Sequence, residues 1–400
     1  MTATRPIDET ELAAWRAETP GCGEVVHLNN AGASLPPEVV LDTTIAHLRL
    51  EATIGGYEAA AAKHDAIEGV YDSVAALLAA DRSEIALVEN ATRAWDMAFY
   101  SVPFEPGDQV ITGVAEYASN YLAFLHAHRR HGIEIVVAPD DATGATDADA
   151  VADRIGPRTK LIALTHVPTN GGLVNDAAAV GRVARDAGVL YLLDACQSAG
   201  QLPLDVDELG CDFLSVTGRK FLRAPRGTGF LYARAATTGH LHPPLVDLHS
   251  ASWVDVDTYE LRDDARRFEN WENFVAGRLG LGAAIDHALA IGLDRIEDRV
   301  AELAGHARDE LAALDGITVR DKGDRRCGIV TLTHDRVDAP ELSSALRDRR
   351  INTSVSVPES TRLDFTGRDL GRMLRVSVHY FNTHAEIDAL VAAVDEIART

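Results

Sequence analysis

The stretch Val189-Leu190-Tyr191-Leu192-Leu193-Asp194-Ala195-Cys196-Gln197 carries an unbroken apolar run straight into a carboxylate. It follows a helical stretch over Ala177 to Ala187. A continuous apolar run of this length between helices marks a strand buried on both faces, which is the habit of parallel sheets. Outward from it the same alternation recurs. Strands are expected over Asp108 to Val114, Ile133 to Ala138, Lys160 to Val167, Phe213 to Val216 and Gly229 to Tyr232, with a helix through Arg130. The fold class is therefore α/β, with a mostly parallel sheet sandwiched by helices.

After a Pro-bearing irregular stretch from His242 to Asp264, a long helical segment begins near Phe274 and runs past Ala290 as a bridge to a second unit. That unit repeats strand and helix at shorter range: Gly328 to His334, a helix over Pro340 to Arg350, Met373 to Val378, and a last helix opened by Thr383-His384-Ala385-Glu386, a capping-box pattern. It is read as a smaller α+β lobe.

Composition narrows the classes of function. A chain of 400 residues with 46% hydrophobic content buries a large core, and its length suggests about two to three domain-sized units. The net charge of −23 opposes binding to phosphate backbones and anionic lipid, so neither nucleic acid nor membrane is an expected partner. Cys22, Cys196, Cys211 and Cys327 are scattered without a CxxC pair, which favours a reduced, cytoplasmic protein. The polar stretch Met1 to Thr10 lacks the apolar run of a signal peptide, and no apolar stretch is long enough to span a bilayer. His126, His128 and His131 share one expected helix with arginines between them and read as a solvated face, so no metal site is expected.

The chemistry gathers at strand ends, where open α/β sheets bind their ligands. Lys220 is one of four lysines against 34 arginines, and it closes Thr217-Gly218-Arg219-Lys220 after the Phe213 strand. Only a neutral amine forms an imine with an aldehyde, so arginine cannot replace it. A lysine nucleophile with a buried strand-end carboxylate is the pair that pyridoxal phosphate chemistry requires, Asp194 holding the pyridine nitrogen protonated. An aspartate there also suits a helix N-cap. Gln197 is placed to reach the ring's phenolic oxygen, and Arg219 to grip two phosphate oxygens. The segment Glu89 to Trp95, with Ala91 and Thr92, precedes a helix whose N-terminus suits phosphate, although Thr92 also suits a plain N-cap. Tyr117 ends the Val110 strand, where a ring can lie against a cofactor, and Thr169 closes the strand from Lys160.

In order along the chain, Leu28-Asn29-Asn30-Ala31-Gly32, Glu116-Tyr117, Thr165-His166-Val167, Asp194-Ala195-Cys196-Gln197, Thr217-Gly218-Arg219-Lys220, Arg267-Phe268-Glu269 and Leu374-Arg375-Val376-Ser377 with Asn382-Thr383 resemble the class V aminotransferase superfamily. This is the pyridoxal phosphate group of cysteine desulfurases, selenocysteine lyases and isopenicillin N epimerase-like proteins. The resemblance implies a large cofactor domain with a seven-stranded sheet over residues 30–285, a small domain from 1–29 and 286–400, and a homodimer. It implies Lys220 as the catalytic imine lysine, Asp194 as the ring-nitrogen partner and Gln197 as a ring-oxygen ligand. Ala91, Thr92, Thr217 and Arg219 would hold phosphate, Tyr117 would stack on the ring, and Thr169 would add a further cofactor contact. Asn29, Asn30 and Arg375 would bind the substrate, an amino-acid-type small molecule, with Arg375 on its carboxylate. Tyr57, the loop from Ser354 to Arg362 and the stretch from His249 to Trp253 are further candidates for shaping the pocket.

Three departures matter. Tyr117 stands where desulfurases usually stack a histidine, and Ile351 to Pro358 occupies the place of their sulfur-accepting loop without a cysteine. Asn270-Trp271-Glu272 also replaces a Gly-Thr pair that in many relatives reaches the neighbouring subunit's phosphate. The expected activity is C–S cleavage by β-elimination from an amino acid or cysteine S-conjugate. Transamination and epimerisation are the alternatives.

Overall fold

The computed structural model describes residues 5–399, so the first four residues of the polar N-terminal stretch, and Thr400, lie outside it. Seven strands form the central sheet: β1 (Ile85–Val88), β2 (Gln109–Thr112), β3 (Glu134–Val137), β4 (Thr159–Thr165), β5 (Leu190–Asp194), β6 (Phe213–Thr217) and β7 (Gly229–Ala233). Their order is β1-β7-β6-β5-β4-β2-β3, and β7 alone runs antiparallel to its neighbours. The α/β sandwich read from the sequence is the observed fold.

Side chains alternate across the sheet because successive residues of a strand point to opposite faces. Tyr191, Leu193, Ile162 and Leu164 enter one core with Val180 and Ala184 of the helix Ala177–Ala187. Leu192, Leu161 and Ala163 enter the other with Trp95, Phe99 and Phe124. With both faces buried, every residue of the strand must be apolar until the chain reaches the edge. Asp194 is the point at which that pattern stops.

The helix Val275–Ile291 contributes to two hydrophobic cores. Leu281 and Ile285 lie in the large core, whereas Ala288 and Ile291 lie in a second core with Val300, Leu332, Leu374 and Leu390. Around this second core β10 (Ile317–Val319), β11 (Ile329–His334), β12 (Ser354–Ser356) and β13 (Met373–Ser377) make an antiparallel sheet of order β10-β11-β13-β12, numbered after the hairpin below. The expected capping box is present: Glu386 N–H donates to Thr383 Oγ1 (3.1 Å) and Thr383 N–H to Glu386 Oε2 (3.0 Å). The N-terminal segment joins this lobe, since Val26–His27 pairs in parallel with Ile351–Asn352 and Asn29 bridges Ser377.

Several short elements differ from the sequence reading. The stretch from His242 to Asp264 is not irregular throughout but contains a hairpin, β8 (Ala251–Asp255) with β9 (Thr258–Leu261). Its residues are exposed on both faces, so no burial alternation marks them. The short strand β1 was also unannounced. No helix among the described residues is long and apolar enough to cross a membrane.

Candidate active site

The carboxyl ends of β4, β5 and β6 open on one narrow cleft lined by Tyr117, Thr165, Val167, Thr169, Asp194, Cys196, Gln197 and Lys220. Five residues singled out from sequence thus meet in one place. Four larger hollows on the surface lie elsewhere and have no lysine among their lining residues.

Lys220 follows β6 and is buried, with Nζ 5.9 Å from the centre of the Tyr117 ring. Burial pushes its amine below the usual lysine range; Cys196 and Asp194 pull the other way, and Arg219 and Arg375 add to the depression. A depressed amine is neutral more of the time and is therefore a better nucleophile. The turn behind it is tightly held. Arg223 N–H donates to Lys220 O (2.9 Å), and Arg223 sits at φ 62°, a left-handed backbone that non-glycine residues seldom adopt. Its guanidinium donates to Leu35 O (2.8 Å), Thr19 Oγ1 (2.6 Å) and the Tyr380 hydroxyl.

Asp194 is fixed at both oxygens. Oδ1 accepts from Cys196 N–H (2.8 Å) and Oδ2 from Asn120 Nδ2 (2.9 Å). The same Asn120 nitrogen donates to Glu116 Oε1 (2.8 Å). Glu116 also accepts from Tyr117 N–H (2.9 Å), the Thr165 hydroxyl and Thr112 Oγ1 (3.0 Å). Burial pushes this carboxyl up to about 7, its hydrogen bonds to Thr165 and Asn120 acting against that and the charge of Asp194 adding to it. Sequence reading gave Asn120 and Glu116 no role, although their four-residue spacing at a helix start signals a shared face.

Gln197 Nε2 donates to Ala31 O (3.2 Å), while Oε1 is buried without a protein partner. Such an orphan is costly unless a bound group satisfies it. Arg375 is also buried. It donates to Thr169 Oγ1 (2.7 Å), Thr169 O (3.2 Å) and Asn29 Oδ1 (3.3 Å), and its Nε has no protein partner. Burial, with Arg219 next, lowers it to about 10, so it stays cationic at neutral pH. The Arg219 guanidinium donates to Gly32 O.

Asn30 takes a different part from its neighbour Asn29. It is fully buried, its Nδ2 donating to Ser377 O (2.8 Å) and its Oδ1 accepting from Ser34 (2.7 Å), so it braces the loop that presents Asn29. Thr217, Gly229 and Val88 lie in register at the ends of β6, β7 and β1, which brings Ala91 and Thr92, opening the helix Ala91–Phe99, to the Thr217 edge. A Cβ on Gly229 would stand 3.1 Å from the Asn90 backbone, so glycine permits that approach. Tyr57 is 76% exposed and outside the cleft. The Ser354 to Arg362 segment does reach the site, but as a clasp. Asn170, beside Thr169, donates to Ser360 Oγ and Thr361 Oγ1 (both 3.0 Å) and accepts from the Ser356 hydroxyl.

A buried nucleophilic amine, a fixed carboxylate, a flat ring and guanidiniums for anions fit the pyridoxal phosphate expected from the sequence, and the orphaned Gln197 oxygen suits its ring hydroxyl.

Comparison with known proteins agrees. The family profile described as aminotransferase class-V matches residues 25–390. A probable cysteine desulfurase from Methanothermobacter thermautotrophicus is 31% identical over 82% of this chain and 82% of its own. Another from Halobacterium salinarum is 28% identical over 98% of this chain and 94% of its own. Among solved structures, the cysteine desulfurase CsdA from Escherichia coli superposes with a TM-score of 0.90 at 26% identity, covering 97% of this chain and 98% of its own.

Proposed function

We propose, from the premise that this chain belongs to the class-V aminotransferase family of pyridoxal phosphate-dependent enzymes, that it cleaves the C–S bond of a cysteine S-conjugate by β-elimination. Bound in the cleft, the cofactor supplies an electron sink for the pair released at Cα. Everything else falls to the protein. Lys220 Nζ would hold the cofactor and, when free of it, is the amine placed to take the Cα proton. The same nitrogen can return a proton to the departing sulfur, giving a thiol and, after addition of water, pyruvate and ammonia. Asp194 holds the ring-nitrogen proton, Tyr117 covers a ring face, and Gln197 takes the ring oxygen. Ala91, Thr92, Thr217 and Arg219 bind phosphate, with Thr169 supporting the site. Arg375, held by Thr169 and Asn29, takes the substrate carboxylate.

The observation that carries elimination over persulfide formation is the clasp on Asn170. Where a sulfur acceptor would stand, this chain commits Ser356, Ser360 and Thr361 to hydrogen bonds and offers no thiol. Cys196 does line the cleft, but burial pushes its thiol far above the normal range, and Asp194 adds to the shift. A thiol that stays protonated is a poor sulfur acceptor.

The reading includes a lobe boundary near residues 30 and 285, a homodimer, and a cytoplasmic setting in keeping with four unpaired cysteines. Its test is direct. Protein supplied with pyridoxal phosphate should acquire a visible absorbance band that Lys220→Ala abolishes, and should release pyruvate and thiol from cysteine S-conjugates. Release of alanine from free cysteine, with sulfide freed by an added thiol reductant, transfer of the amino group to a keto acid, or a change at Cα alone would each replace elimination by another reaction.

A further inference from the structure

Asn120 is held between two carboxylates. One amide nitrogen has two hydrogens, and here both are used: one on Asp194 Oδ2 (2.9 Å), one on Glu116 Oε1 (2.8 Å). The amide cannot turn over without pointing its oxygen at an acceptor, so Glu116 dictates that a donor faces Asp194. Glu116 in turn is locked by Thr112 and Thr165, from the ends of β2 and β4, and by the Tyr117 N–H. It is 4% exposed and does not itself line the cleft, which it meets only through Tyr117 and Thr165.

Resting on the pyridoxal phosphate reading above, we propose that Glu116 and Asn120 are positioning residues for the cofactor. One buried carboxylate fixes both the backbone of Tyr117, whose ring lies on the Lys220 side, and the amide that orients Asp194. The face of the ring and its nitrogen partner are thereby registered against each other through a single group. A carboxylate is needed for this because four donors converge on it, and a side-chain amide would turn an N–H₂ into that set. Hydrogen bonds to ionised groups are the stronger class, so loss of the Asn120 donor should be felt by Asp194.

The experiment uses full-length protein stripped of cofactor and titrated with pyridoxal phosphate. In Asn120→Leu the dissociation constant should rise about tenfold or more, the scale of one hydrogen bond to a charged group. In the isosteric Glu116→Gln it should rise about threefold or more, and in both variants the pH midpoint of the bound cofactor's visible band should move by about half a unit or more. A merely structural role would lower thermal stability without moving that midpoint. Glu116→Gln keeps the test decisive if Asn120→Leu fails to fold. Wild-type affinity and midpoint in a folded Glu116→Gln would overturn the proposal while leaving the cofactor reading intact. A wild-type protein that takes up no pyridoxal phosphate would overturn both.

Discussion

At the scale of single residues, Glu116 carries a cost that can be measured apart from any cofactor. Its carboxyl, pushed up to about 7 by burial from an ordinary 4.5, keeps its proton in the folded chain where the unfolded chain has already lost it. Stability therefore falls as pH rises through that window, and the penalty is complete above it. His166, driven down to about 4 from 6.5 by burial, acts in the opposite sense: it costs nothing above 6.5 and destabilises as pH falls towards 4. Because a Glu116→Gln variant retains His166, the difference between the two proteins isolates Glu116. The variant should gain on wild type by up to about 3 kcal/mol between pH 4.5 and 8, read from denaturant midpoints at several pH values. A constant difference across that range would contradict a buried, proton-holding carboxyl. Arg375→Lys should act on substrate instead, raising KM about tenfold or more with a smaller effect on kcat, since a lysine cannot span Thr169, Asn29 and a carboxylate together.

Among elements, the helix Ala177–Ala187 shows how closely this sandwich is packed. A Cβ on Gly181 would fall 2.0 Å from Leu209 O, inside the radius of backbone that cannot yield. In an isolated helix Gly→Ala stabilises by about 1 kcal/mol. Here Gly181→Ala should reverse the sign and cost about 2 kcal/mol, seen as a lower melting temperature. This helix and β5 were legible because burial imposes periods of 3.6 and of continuous apolarity on long segments. The capping box at Thr383 was legible because its chemistry is local. By contrast β1 has four residues, too few for a period, and the β8–β9 hairpin buries neither face. Lys220 and Asp194 could be picked out because rare or charged residues at strand ends stand out against apolar surroundings, whereas Arg375 was marked only by the family resemblance. The Asn120 bond to Asp194 and the Asn170 clasp could not, since each joins ordinary polar residues far apart in the chain, and only the folded sheet edge brings them together.

For the whole molecule, the surface carries apolar groups that a lone chain has no use for. The helix Glu38–Ile54 exposes Val39, Leu41, Leu48 and Ile54, and the hairpin exposes Trp253 and Val256. On the homodimer reading proposed above, these groups face the second copy. Sedimentation should then give twice the 43.0 kDa chain mass, and a Leu48→Glu, Trp253→Glu double variant should shift the population towards monomer. Sedimentation as a single chain at micromolar concentration would sink that assignment. Closure of the cleft spans the polypeptide in another sense as well. Asn29, near one end, is stitched to Ser377 and meets Arg375, near the other, whereas Lys220 and Asp194 come from the middle. During synthesis Lys220 and Asp194 emerge while Arg375 is still unmade, so the two ends of the cleft are joined only once β13 has left the ribosome.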